Sequence, residues 1–355
     1  MTATLEPQLD TTVLGQEVPL NRIDSALREL WADEDAGKTR ASLMNVAIYT
    51  EDSGSLERNT QLLGEITQQH SCRSLLIVNV PGAAKPGARA WITAHCQLYD
   101  GKRSVCCEQI SMVMEGGNAD SIRNFVFSHL DSDLPLTVWW QGELTDRLDE
   151  RFYSVIDSLI IDSSKWADPA ASLERVLAAQ GARTARFDLS DLAWMRSHFL
   201  RMALAASCHD AVVRSDLSKL DHLTIAHGKG HRMSALMLAA WIGTQLKCRL
   251  AVGKGLRLER YNGSTIEVSI SEGDGQCPLQ SLQLSGPGVA ISICRDPQSC
   301  FVRSRMEHEH HQRDEVQPAD LSDDGDLIAE QMSRLGGTTL YFSMLPLLRE
   351  MLKKS

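Results

Sequence analysis

Three short stretches hold residue types from which a site could be assembled. His227-Gly228-Lys229-Gly230-His231 places two imidazoles, an ammonium and two glycines directly before Arg232–Leu246, an apolar run that reads as a buried helix through Met233, Leu236, Met237, Leu238, Trp241 and Ile242. It lacks the spacing and the Lys-Ser/Thr ending of a nucleoside-triphosphate loop. A helix N-terminus can nevertheless hold an anion. Gly253-Lys254-Gly255 lacks both the strand–turn–helix context and the third glycine of a dinucleotide loop. Glu307-His308-Glu309-His310-His311 is rich in metal-ligand types. Ligands crowded this closely cannot all turn onto one ion in regular geometry, so a solvated loop without metal is expected there.

Cys294 and Cys300 flank Arg-Asp-Pro-Gln-Ser at the ends of two expected strands, with Asp296-Pro297 favouring a turn. Opposed residues across such a hairpin come within disulfide range, which makes the two a candidate redox pair; two reduced packing cysteines are the other reading. Cys106 and Cys107 are adjacent on one strand and poorly placed to bridge each other. No Gly-x-Ser-x-Gly element, Cys–His–Asp arrangement or spaced carboxylate pair is present. The expectation is a binding or regulatory protein, not an enzyme, with no cofactor. The alternative is an uncharacterised enzyme, or an anion- or phosphometabolite-binding protein, using His227–His231.

The elements that must position these residues fall into two halves. Residues 1–41 form an acidic lead-in with a short helix, Arg22–Trp31. Ser42–Thr50 and Arg73–Val80 read as strands joined by a helix over Leu56–His70, a βαβ unit. Alternation from Ala90 to Leu98, an Asp100-Gly101 turn and a return over Arg103–Met114 read as a hairpin. A helix at Ser121–Leu130 precedes Leu134–Leu144 (LPLTVWWQGEL), a buried strand that ends in tandem tryptophans and breaks at Gly142. One of those indoles should face the core and the other the opposite face, with at least one ring near a rim, packed under a helix or open to a partner; two core tryptophans are the other reading. The expected architecture is α/β (α+β): a mixed-sheet α/β domain over 42–185, then a C-terminal domain over 186–355 with helices, an antiparallel sheet and an acidic loop near 307–326. In that second half, Ser190 should cap a long helix with an apolar stripe through Leu192, Met195, Phe199, Met202 and Ala206. Asn262-Gly263-Ser264 should form a three-residue turn pairing Leu258 with Val268, and Pro346 should restart or kink the last helix.

The net charge is −10, of which residues 1–40 carry −4 and 307–330 carry −8. An acidic chain without a basic stripe is a poor nucleic-acid ligand. No apolar run reaches membrane-spanning length, and no basic-then-apolar leader is read at the start. The expectation is a cytoplasmic protein with neither nucleic-acid nor membrane partners.

The entry Leu134-Pro135, the apolar strand, Trp139-Trp140 and Gly142 resemble the signature of the glucose-6-phosphate dehydrogenase assembly protein family, OpcA. Two further blocks, His70-Ser71-Cys72-Arg73 running into Leu75–Val78 and Leu192-Ala193-Trp194-Met195-Arg196 leading to Arg201, resemble it in order and spacing. Together the blocks span roughly residues 42–206. Phe199 and Leu200 stand where family members often carry Pro and Trp. The resemblance implies a non-enzymatic effector that binds glucose-6-phosphate dehydrogenase and promotes its active oligomer. Trp139, Trp140, Gly142, Trp194, Arg196 and Arg201 are then the candidate partner-binding residues; a scaffold role, with Trp194 packed against Trp140, is the other reading.

Overall fold

The computed structural model describes residues 11–32, 38–81, 86–99, 103–131, 133–181, 187–275, 277–295, 300–309, 311–319, 323–333 and 338–354. The expected turns at Asp100-Gly101 and Asp296-Pro297, and the first ten residues of the lead-in, lie outside these. The chain forms two compact units. One comprises residues up to Ile161 with Arg175–Leu189 and Ile328–Ser333; the other comprises Asp162–Glu174, Ser190–Leu327 and the residues from 334 on.

The sheet of the first unit contains β1 (Gln16–Val18), β2 (Lys38–Arg40), β3 (Met44–Thr50), β4 (Cys72–Val80), β5 (Gly87–Tyr99), β6 (Arg103–Glu115), β7 (Leu136–Trp140), β8 (Ser158–Ile161) and β9 (Asp188–Asp191). Their order is β1-β5-β6-β4-β3-β7-β8-β9, with β2 also on β6. The expected βαβ unit is present: β3 and β4 pair in parallel across α2 (Leu56–Gln69), after α1 (Ile23–Ala32). Strands β3, β4 and β7 are buried along most of their length. That accounts for their near-continuous apolar sequences, since a parallel strand is covered on both faces. β5 and β6 pair in antiparallel register along their full lengths. α3 (Ala119–His129) starts at Asn118, whose side chain accepts from the Ser121 amide in a capping box. α4 (Glu150–Tyr153) and α5 (Pro169–Gly181) follow.

The second unit is an eight-stranded sheet with helices packed on one face. Its strands are β10 (His222–His227), β11 (Arg249–Leu250), β12 (Leu256–Glu259), β13 (Thr265–Glu272), β14 (Leu279–Gly286), β15 (Val289–Arg295), β16 (Phe301–His308) and β17 (His311–Pro318), in the order β11-β12-β13-β10-β14-β15-β16-β17. Its helices are α6 (Leu192–Met195), α7 (His198–Cys208), α8 (Ala211–Asp216), α9 (Arg232–Gln245), the first residues of α10 (Asp324–Ser333), whose part from Ile328 belongs to the first unit, and α11 (Thr338–Leu352). α7 packs on β15 and β16, α9 on β10 and β13, and α11 on α9. One pair, β10 with β13, is parallel, so this sheet is mixed where an antiparallel one was expected. The parallel pair arises because α9 and the β11–β12 excursion lie between its two strands.

Several local expectations are corrected. Ser190 lies in β9, and Asp191 is the cap, its carboxylate accepting from the Ala193 amide. The long helix is broken at Arg196-Ser197 into α6 and α7, and the break rotates the buried stripe. α7 buries Leu200, Ala203, Leu204 and Ser207, leaving Met202 54% exposed. The 260s hairpin pairs Leu258 with Ile266 and Leu256 with Val268, with Gly263 at φ 81° and Arg260 N donating to Ser264 O. The turn is Tyr261-Asn262-Gly263, one residue earlier than expected. The register therefore moves by two, and the same apolar set stays on the core face. Glu307–His308 and His311 belong to a β-hairpin instead of a solvated loop, with β17 as a charged edge strand. Pro346 sits within an unbroken α11.

Trp140 is the best-buried large side chain of the first sheet, at 0% exposure. Trp140→Ala is expected to lower the unfolding free energy by about 3–5 kcal/mol, measurable by denaturant titration. A loss below about 1 kcal/mol would mean that the sheet repacks around the gap.

Candidate functional site

The tandem tryptophans are internal. Trp139 is 4% exposed, and its Nε1 has no partner among the described residues. Trp140 stacks on Tyr49 with ring centroids 3.9 Å apart, meets the edge of Phe152 and donates from Nε1 to the Glu143 carbonyl at 3.0 Å. Neither indole reaches a rim, because β7 lies between β3 and β8 and both of its faces are covered. Gly142, exposed and at φ 84°, turns the chain immediately afterwards, in a conformation that side chains disfavour. These three candidates organise the sheet and the loop beyond it, and of the three Gly142 is the exposed one.

That loop lies at the switch point of a doubly wound order. Strands β6-β4-β3-β7-β8-β9 read 3-2-1-4-5-6, and in such sheets a dinucleotide pyrophosphate sits on the glycine-rich turn after the first strand. Here that turn is Glu51-Asp52-Ser53-Gly54-Ser55. The Glu51 carboxylate accepts from Tyr49 Oη at 2.8 Å and from Arg147 at 2.9 Å. Asp52 accepts from the Gly54 amide. Asn59 and Gln141 close the gap between the neighbouring loops with a reciprocal pair of amide hydrogen bonds, 3.0 and 2.8 Å. Two carboxylates and a single glycine do not fit a pyrophosphate, whose charge they repel.

In the second unit the Trp194 block is a layered cluster. The Arg196 side chain is 3% exposed. It makes a bidentate pair with Asp162, 2.9 and 2.8 Å, and donates to Asp324 at 2.6 Å. Burial pulls its pKa down, but hydrogen bonds and charge from Asp162 and Asp324 outweigh this and raise it. Asp162 responds conversely: burial pushes it up, and the Arg196 contacts bring the net shift below the usual carboxylate range. Asp191 accepts from the amides of Ser163 and Ala193, 3.1 and 3.0 Å, and from Tyr341 Oη at 3.1 Å. Burial outweighs these bonds and lifts it to about 6. The Tyr341 ring meets Trp194 edge-on, and the Arg201 guanidinium lies over the indole with Cζ 3.6 Å from the centroid, its Nε donating to Ser197 Oγ at 2.9 Å. Trp194 is 7% exposed, so the half-buried Arg201 is the outer layer and exposed Met202 its neighbour in sequence. The structure thus brings together Trp194, Arg196 and Arg201, with Arg196 as the internal anchor and Arg201 facing outward. Asp162, Asp191, Asp324 and Tyr341 escaped the sequence reading because they come from segments distant in the chain.

The remaining candidates separate. Cys294 and Cys300 are both free and exposed. β15–β16 pairing sets Cys294 opposite Arg303, three residues beyond Cys300, so the expected bridge is not formed. The disulfide lies instead between Cys96 and Cys106, register partners on β5 and β6 with Cα atoms 4.0 Å apart. Their equal spacing about position 101 was the signal for it. Gly253-Lys254-Gly255 is a turn before β12, with both glycines at positive φ. His308 binds Asp216 at 2.7 Å, and no group of three metal-ligating side chains is found among the described residues. His227–His231 closes β10 and leads into α9. Gly228 is required there because a Cβ would stand 2.5 Å from the Cys277 carbonyl oxygen.

Two family models match the chain. One, described as the glucose-6-phosphate dehydrogenase subunit N-terminal domain, matches residues 64–178. The other, described as the C-terminal domain of that subunit, matches residues 188–345. No curated protein matches. Among solved structures, the 3-ketoreductase KijD10 from Actinomadura kijaniata, in complex with NADP and TDP-benzene, is 11% identical, with 87% of this chain and 96% of that one covered at a TM-score of 0.47. The aldose-aldose oxidoreductase from Caulobacter crescentus is 10% identical, covering 88% and 97% at 0.44.

Arg196→Ala is expected to destabilise by about 3–5 kcal/mol, because Asp162 is left buried without its counter-charge, whereas Arg201→Ala removes an exposed-side cation–π contact of about 1 kcal/mol. Equal losses in denaturant titrations would contradict this layering. Asp191 binds its proton more tightly folded than unfolded, so its contribution is fully present below about pH 4 and is lost as pH rises through about 6. The stability of Asp191→Asn relative to wild type should therefore grow between those limits and level off above them; a flat difference would contradict the shift.

Proposed function

The chain belongs to the glucose-6-phosphate dehydrogenase assembly protein (OpcA) family, and on that premise we propose that it is a non-enzymatic effector of this dehydrogenase. In this reading it binds the dehydrogenase, favours its active oligomer and thereby raises oxidative pentose phosphate flux and NADPH supply in the cytoplasm. The observation that carries the reading is the pair of family matches, which together cover most of the chain. The carboxylate-bearing turn at Glu51-Asp52 supports it, because this doubly wound sheet keeps the architecture of a dinucleotide fold with residues that disfavour the dinucleotide phosphates.

An effector shifts an oligomer equilibrium only by its difference in affinity for the two states; a tenfold preference corresponds to about 1.4 kcal/mol. A preformed surface suits this task because little is lost to ordering on binding. The Arg201–Trp194 stack beside exposed Met202 has that character: Arg201 is positioned from below by the indole and laterally by Ser197, and aromatic and Arg groups dominate interface energetics. No helix among the described residues is long and apolar enough to cross a membrane.

Adding the purified chain to its cognate dehydrogenase is expected to raise the rate or lower the apparent substrate requirement. Arg201→Ala should weaken that effect by about 2 kcal/mol in half-saturating concentration, with its own melting temperature nearly unchanged. Unchanged dehydrogenase kinetics at saturating chain would refute the effector role. A full effect with Arg201→Ala would remove this face from the contact.

A further inference from the structure

α7 and α9 cover one face of the second sheet. The other face is open. Ser269, Thr224, Gln283 and Arg305 alternate with buried neighbours, lie in one ladder of register partners from β13 to β16, and are all exposed. The middle of this face carries short side chains, Ala226, Ser281, Ser285, Ala290 and Ser292, so a second sheet can approach to the usual spacing of about 10 Å. None of the eight strands contains lysine, a residue depleted in interfaces relative to other protein surface. The long strands β13, β10, β14, β15, β16 and β17 run for six to eight residues each. Together they span about 29 by 24 Å, roughly 700 Å² before β11 and β12 are added. A stable interface takes about 800 Å² from each partner.

Most charges on this face are matched within the chain. Arg249 pairs with Glu259 at 3.0 Å. Arg305, two residues before Glu307 on the same face, is held by Asp314 at 2.8 Å. His222 binds Asp221 at 2.6 Å and approaches Glu267 at 4.0 Å. Two charges of opposite sign are left over: among the described residues, Arg257 on β12 and Glu307 on β16 form no ion pair. They stand at the two ends of one ladder, Arg257–Glu267–His222–Ser285–Ala290–Glu307. In the strand order β12-β13-β10-β14-β15-β16, each is about 12 Å from the line between β10 and β14.

We propose that this open face is a two-fold interface between two copies of the chain, with its axis along the line between β10 and β14. An isologous patch must complement itself. Rotation about that axis lays β12 over β16, so Arg257 of one copy meets the partner's Glu307, twice per dimer. It also sets Glu267 against the partner's Ala290 and His222 against the partner's Ser285, large side chains against small ones. Sheets packed face to face cross at about 30°, and the long Arg and Glu side chains span the resulting offset at the flanks. Arg201 lies on α7, against the opposite face of the sheet, so a dimer leaves its surface open. The interface stands whether or not the chain acts on the dehydrogenase.

The test is size-exclusion chromatography with light scattering on the full chain, from about 1 to 100 μM. Wild type, Arg257→Glu, Glu307→Arg and the double variant are compared, each with its melting temperature. Wild type is expected to pass from a 39.3 kDa species to one of twice that mass. Each single variant places like charges opposite each other at both flanks and should dissociate about tenfold more readily. The double variant restores opposite charges and should return close to wild-type affinity, which a merely structural role for either residue would not produce. A monomer throughout the range, or a dimer whose affinity neither single variant moves, would overturn the interface. Single variants that lose affinity for the dehydrogenase while self-association stays at the wild-type level would assign the face to that partner and equally overturn it.

Discussion

The buried guanidinium of Arg196 is the constraint on which the Arg201 surface of the second unit depends. It joins three segments far apart in the chain, through Asp162 and Asp324, and every charge in the group is largely removed from water. Such a cluster contributes little net stability, because desolvation offsets most of the attraction, but any arrangement that separates its members is strongly disfavoured. It therefore acts by excluding alternatives. With Arg196 fixed, the Ser163–Lys165 turn is fixed against α9. Asp191 is fixed too, held by the Ser163 and Ala193 amides, and through Tyr341 it orients the Trp194 ring under Arg201.

A parallel logic governs the first unit without charge. Tyr49 on β3 and Trp140 on β7 stack across the central pair of the sheet, which sets how the loops after those strands leave it. Burial first, and then the Glu51 bond, push the Tyr49 hydroxyl pKa well above its ordinary range, so it remains a donor and keeps the Glu51 carboxylate at the switch point. A fold whose geometry favours an anion at that place thus carries two carboxylates there. The strand order of a dinucleotide fold is present, and the turn that would meet the phosphates is electrostatically unfavourable to them.

Periodicity and turn chemistry made the elements legible. The β3–α2–β4 unit, the β5–β6 hairpin and the buried character of α9 follow from apolar spacing, because burial imposes those periods. Family blocks likewise pointed to Trp140, Trp194, Arg196 and Arg201. What stayed hidden was set by tertiary partners. Ser190 looked like a cap because nothing local revealed that β9 continues to Asp191 before α6 begins. The break at Arg196-Ser197 is dictated by distant aspartates, so a stripe read straight through it came out rotated, with Met202 outside. For Trp139 and Trp140 a rim and a core position both stay open from the sequence, because alternation says nothing about whether a second layer covers the far face. The cysteines show the same division: Cys96 and Cys106 are equidistant from their turn, whereas Cys294 and Cys300 are not true register partners.

In the proposed function the chain changes the assembly state of glucose-6-phosphate dehydrogenase by direct contact. Sedimentation velocity of the dehydrogenase alone and with a molar excess of this chain measures that change. The chain is expected to co-sediment with the dehydrogenase and to move its distribution toward the larger, active oligomer. An unchanged distribution, with the chain sedimenting separately as free protein, would contradict it.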